Sequence, residues 1–154
     1  MKETDRINDQ IRRAYSGKAW HGPSVKEALE GVTAEQALSR PIADAHSIWE
    51  LASHTGAWAD IVRRAIAGEK FEITGELNFP PVTIGTGVAW EASLKKLDGI
   101  HAALTAAVSE LPESRLGEIA VEGGSTIYVL LHGVAQHHIY HAGQIVLLKK
   151  LVLR

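Results

Sequence analysis

The sequence predicts an all-α protein, a four-helix bundle with a long loop between its second and third helices. Three observations predict it. Four segments have the length and the three-to-four spacing of apolar residues that mark amphipathic helices. Gly, Pro and capping residues fall between those segments. The chain of 154 residues, 45% hydrophobic and 22% charged, fits one globular domain spanning residues 1–154.

The first helix is expected over about Thr4 to Trp20, with Ile7, Ile11, Ala14 and Tyr15 on one face. Gly17 and the Gly22-Pro23 pair stop it. Ser24 to Leu29 fits one or two helical turns, and Thr33 with Gln36 fits a capping box. Pro41 then interrupts the chain. The second long helix starts at Ser47, whose hydroxyl caps the third amide while Glu50 reaches back. Its apolar face carries Ile48, Leu51, Thr55, Trp58, Val62, Ala65 and Ile66, and Gly68 stops it.

Residues Glu69 to Gly87, with Pro80-Pro81 and three glycines, read as a long loop of the kind that covers a site. The alternation of Phe71, Ile73, Leu77 and Phe79 fits a short hairpin or an extended arm. The third helix runs from about Val88 to Leu111, with Trp90, Leu94, Leu97, His101, Leu104 and Val108 roughly in line, and Pro112 ends it. A link with Gly117 and Gly123-Gly124 leads to the fourth helix, from near Ser125 to about Leu151.

Composition narrows the chemistry. There is no cysteine, so the chain itself offers no disulfide, thiolate ligand or thiol nucleophile. Eight histidines stand against that zero, so a transition-metal site must use imidazole and carboxylate. Sixteen basic residues against eighteen acidic ones, scattered along the chain, disfavour nucleic acid as a partner. No apolar run is long enough to span a membrane, and the polar start, Met1 to Gln10, is no secretory signal; the cytoplasm is the expected location.

The strongest chemical signal is Gln136-His137-His138-Ile139-Tyr140-His141-Ala142-Gly143-Gln144. His137 and His141 lie four apart, about 40° and 6 Å along a helix, so both imidazoles can meet one ion. No glutamate follows His137, so the zinc-protease motif and its general base are missing. Both histidines sit in line with Val134, Leu130, Ile145 and Leu148, and are expected to point inward. His54, between Leu51 and Trp58, faces the interior from the second helix. Three nitrogen ligands that leave a position for water or substrate are the pattern of a catalytic metal site. The competing reading is that each is a hydrogen-bonded core histidine.

Other residues have quieter expectations. Gln144 can orient His141 as an outer partner or serve as a packing amide. Gly143 is expected to allow close helix approach, and Glu50 to serve the capping box before any role as a base. His46 is expected to be structural, and His138, His132 and His101 to lie at the surface or at the edge of the core. Trp58 and Trp90 are expected in the core or a pocket wall.

Two stretches, His46 to Trp58 and Leu131 to Ile145, resemble the DinB-like (DinB/YfiT-like) superfamily of metal-dependent four-helix-bundle proteins, and the order of the segments between them fits too. The resemblance implies a metal triad of His54, His137 and His141, the same three residues that spacing selects. It implies a divalent ion, zinc or nickel first, and a homodimer. It also implies a small-molecule substrate, since characterised relatives include transferases and isomerases that use low-molecular-weight thiols. Hydrolysis is the other chemistry such a site supports. The alternative is a non-enzymatic bundle with a structural or vestigial metal site. A second copy is also expected from Ile145 to Leu151, which is apolar apart from Lys149-Lys150.

Overall fold

Capping residues set where the helices begin in the computed structural model, which describes residues 1–120 and 124–153. Ser24, Thr33, Ser47, Thr74, Thr86 and Thr126 each accept a backbone amide from the first turn of the helix that follows. The helices are α1 (Glu3–Ser16), α2 (Val25–Leu29), α3 (Ala34–Leu38), α4 (Ile48–Ile66), α5 (Gly75–Asn78), α6 (Gly87–Glu110) and α7 (Ile127–Val152). The protein is all-helical, and four of these helices are long. No strand forms among the described residues; Ile119 and Thr126 make one isolated bridge.

Two expectations about local structure change. The first helix ends at Ser16, because Gly17 and Lys18 both take positive φ and turn the chain; Trp20 is left fully exposed in the turn beyond. The segment 69–87 contains no hairpin: Thr74 caps the single turn of α5, and the alternating residues never pair. Residue 123 of the glycine pair expected in the last link, and Arg154, lie outside the described residues.

The long helices pack mainly as α4 on α6, α4 on α7, α1 on α7 and α1 on α6, with α2 laid across α7. Two apolar clusters result. One gathers Val25, Leu29, Trp49, Trp90, Leu97, Ile145 and Leu148. The other gathers Ile7, Ile11, Val62, Leu104, Val108, Leu131 and Val134. Each fully buried aliphatic side chain contributes roughly 1.5–3 kcal/mol through burial. Trp90 lies wholly inside and satisfies its indole by donating to the Val32 carbonyl at 2.7 Å. The close approach falls at Gly56, where an added Cβ would stand 2.8 Å from Leu97 Cδ1. Gly143 does not supply it; its missing side chain faces open space.

Between the two clusters the helices change chemistry. Along α7, Leu131 and Val134 belong to one cluster and Ile145 and Leu148 to the other; His138 and His141 lie between. On α6, His101 separates Leu97 from Leu104, and on α4, His54 and Thr55 separate Ala52 from Ala59. A polar layer of imidazoles thus crosses the middle of an otherwise apolar core.

Candidate metal centre

The capping box at Ser47 fixes where α4 begins, and so which side His54 presents. Ser47 N–H donates to Glu50 Oε2 at 2.8 Å and Glu50 N–H to Ser47 Oγ at 3.2 Å. Glu50 is further engaged by Arg40 and His46, so its carboxylate serves the helix start. Two turns on, His54 meets His137 and His141 of α7. His54 Nε2 lies 2.9 Å from His137 Nε2, which lies 3.0 Å from His141 Nε2. Candidate ligand atoms of all three fall within 4.8 Å of one another.

The outer partners decide where the protons sit. His54 Nδ1–H donates to the Asn78 carbonyl at 2.7 Å, and His141 Nδ1–H donates to Gln144 Oε1 at 2.6 Å. A neutral imidazole carries one N–H, so His54 and His141 must each present a bare Nε2 lone pair to the centre. His137 has one proton to offer and can satisfy only one of them. Its own Nδ1 is buried without a partner. Three convergent nitrogens with too few protons are an unfavourable arrangement in a desolvated site, and a divalent cation resolves it. The donor set of three imidazoles suits zinc and nickel alike.

Electrostatics point the same way. Burial pushes the His137 imidazole down to about 3, with the neighbouring His141 and His54 adding to the effect. Burial also lowers His54 and His141. All three are therefore neutral at ordinary pH, the protonation state a metal ligand needs.

The loop expected to cover a site does so. Phe79 stacks on His54 with ring centroids 3.9 Å apart, and on its other side His46 stacks on Phe79 at 4.0 Å. Trp58 lies edge-on to His54 and donates its indole N–H to Asn78 Oδ1 at 2.8 Å. Asn78 thus grips the site twice, by its carbonyl on His54 and by its side chain on Trp58. Asn78 is invisible to motif reading, and Phe79 shows in the sequence only as part of the apolar alternation within the long loop. Gln144 takes the orienting role, and its Nε2 also reaches the Tyr140 hydroxyl at 3.3 Å.

Two histidines depart from expectation. His138 is not at the edge of the core; it is 0% exposed. His101 is 2% exposed, and its ring lies 3.2 Å from His138 Nε2. The reason is the width of the buried face of α7, which packs on α1, α2 and α4 at once. Tyr15 stacks on His101 at 3.6 Å and donates its hydroxyl to Asp98, which also holds Lys26. Burial drives His101 down to about 3 and lowers His138 strongly. This second pair lacks a third ligand among the described residues and is part of the packing. His132 is half-buried against Tyr128, and His46 touches only the outer wall of the centre.

Fold and site together define a class: a helical protein in which two long helices bring three neutral imidazoles to one point, with geometry to hold a metal ion. The family model of the DinB superfamily matches residues 20–145, most of the chain. The protein belongs to the DinB superfamily. No curated protein and no solved structure gives a significant match.

Proposed function

We propose that His54, His137 and His141 hold one divalent ion, zinc or nickel, and that the protein is a metal-dependent enzyme acting on a small molecule. A thiol-dependent transfer or isomerisation is the favoured reaction, and hydrolysis the second. The observation that carries the proposal is the pair of fixed tautomers at His54 and His141, which aims two lone pairs at one point where His137 has at most one proton to offer. An ion held by three nitrogens keeps a position free and lowers the pKa of a water or thiol bound there.

The chain's own contribution is positioning. The Asn78 carbonyl and Gln144 Oε1 hold two imidazoles by their Nδ1–H groups. Phe79 and Trp58 wall the His54 ring on two sides and keep water from its face. With no cysteine in the sequence, sulfur in the reaction must arrive with the substrate. We place this chemistry in the cytoplasm, where small thiols are kept reduced. No helix among the described residues is long and apolar enough to cross a membrane.

One observation favours the non-enzymatic alternative. Among the described residues, the side chains and carbonyl that stack on or hydrogen-bond to the three rings include Asn78, Phe79, Trp58, Tyr140 and Gln144, and none of these is a carboxylate that could act as a base. One experiment separates the readings. The protein is purified without a histidine tag and its metal is measured by mass spectrometry, for the native chain and for His137→Ala. About one ion per native chain is expected. The variant should stay folded and lose the ion. Less than about a tenth of an equivalent, with no rise in Tm on adding zinc or nickel, overturns metal binding. A variant that binds no ion and unfolds favours the structural site.

A further inference from the structure

His54 presents one side of α4 to the metal centre. Another side of the same helix borders a cavity that none of the three histidines lines. Ser53, about 100° round from His54, stands in its wall. The cavity is about 590 Å³ in volume and lies between α4, α6 and the segment 77–84. Small-molecule sites run to ~300–1,000 Å³. The segment 77–84 serves both spaces. Asn78 and Phe79 meet the His54 ring, whereas their neighbours Leu77 and Pro80 line the cavity. Pro80 and Pro81 stiffen this wall, because each ring locks its φ.

The lining decides what enters. Its polar groups are mostly engaged already. The Trp90 indole donates to the Val32 carbonyl, and the Ser93 hydroxyl donates to the Ala89 carbonyl at 2.9 Å. Asp60 is paired with Arg63 at 2.8 Å. The hydroxyls of Ser53 and Thr83 carry no charge. Lys96 differs. It is exposed at the edge of the cavity, and no carboxylate among the described residues lies within ion-pair distance of its ammonium. The surface between these groups is apolar, with Trp49, Val82 and Leu94 in it. Such a lining favours a ligand whose body is apolar and whose single charge is negative.

We propose that this cavity is a second ligand site, separate from the metal centre, for an organic carboxylate with an apolar body. The body replaces water against Trp49, Val82 and Leu94, and the carboxylate stays at the mouth, where Lys96 donates to it and water still reaches it. That division suits both ends of the ligand. Apolar area removed from water supplies the affinity. An anion carried inside would lose its hydration and find no free cation to replace it. The charge at the mouth selects more than it binds, since an exposed ion pair is worth only about two- to fivefold. None of the three histidines lines the cavity, so the proposal stands or falls apart from the ion.

Isothermal titration calorimetry of the full chain as purified tests this, with three naphthalene probes that differ only in charge. 2-Naphthoate should bind at one site per chain with a Kd below about 1 mM. 2-Naphthamide should bind about two- to fivefold more weakly, and 2-naphthylmethylamine more weakly still. Ser93→Phe puts a ring into the cavity and breaks only a bond to its own helix, so it should weaken all binding at least about tenfold. Ser53→Phe fills the same space from α4 and replaces it if Ser93→Phe does not fold. Lys96→Glu should cost naphthoate at least about fivefold and leave the amide within about twofold. His137→Ala should bind naphthoate as the native chain does. Loss of binding in that variant puts the carboxylate at the triad and overturns the second site. No heat from naphthoate overturns it as well, as does binding that the phenylalanine variants leave unchanged. An amide or amine that binds as tightly as the acid overturns the assigned ligand class.

Discussion

Replacing Gln144 by Leu removes the only side-chain group among the described residues that fixes the tautomer of a proposed ligand. In the native chain Gln144 Oε1 accepts the His141 Nδ1–H at 2.6 Å. Without that acceptor the proton is free to move to Nε2, where it blocks the lone pair the ion needs. Loss of an outer partner of this kind lowers metal affinity by roughly 10–100-fold, about 1.4–2.7 kcal/mol. The metal-free protein should lose only about 1 kcal/mol, the net value of one hydrogen bond. The assay is competition for zinc against a chromophoric chelator near neutral pH, with Gln144→Glu and Tyr140→Phe alongside. The glutamate keeps an acceptor and should bind at least as well as the native chain. Tyr140→Phe removes the weaker 3.3 Å contact to Gln144 and should leave affinity within about threefold. Affinity within about twofold of native for Gln144→Leu, or an equal loss for the glutamate, would refute the tautomer argument.

Acid lability follows from His101, whose imidazole is held neutral by burial at about 3 against an ordinary value of 6.5. The unfolded chain binds the proton first, so this contribution is complete above about 6.5 and lost as pH falls towards 3, by ~1.4 kcal/mol per pH unit. Urea unfolding of the metal-free protein at pH 7 and pH 5 should show it, and His101→Phe should flatten the slope; a native chain as stable at pH 5 as at pH 7 contradicts it. Trp90→Phe leaves the Val32 carbonyl without its 2.7 Å donor and opens a void beside Trp49. A cost of about 2–4 kcal/mol is expected, read as a Tm lower by roughly 5–15 °C, and a shift of under about 2 °C would show that the indole N–H is dispensable.

The long helices were legible because each begins at a cap and buries an apolar stripe: Ser47 with Glu50 is a local signal, and Ile7, Ile11 and Ala14 keep helical spacing. The triad was legible for the same reason, since His54 and His141 interrupt such stripes. What failed to show was anything that depends on a tertiary neighbour. Asn78 acts through its backbone carbonyl, a group every residue has, so no side-chain pattern marks it. The burial of His101 needed only its own stripe, where it lies in line between Leu97 and Leu104, but a polar ring in that place is satisfied only by knowing that Tyr15 and His138 face it.

On α7 the expected inward residues Val134, His141, Ile145 and Leu148 are buried, and His137 is the histidine of the pair that departs from this. The buried face also takes in His138, about 100° round from His137. His137 therefore sits where the buried face gives way to the outside, and it is half-buried. A ligand at the centre of the face, as His138 is, would be sealed by α1 and α6 and could admit no substrate. At the boundary His137 keeps one side dry, which holds its imidazole neutral, while its other side is partly exposed. Of the two histidine clusters that the fold brings together, only the triad has a member at that boundary.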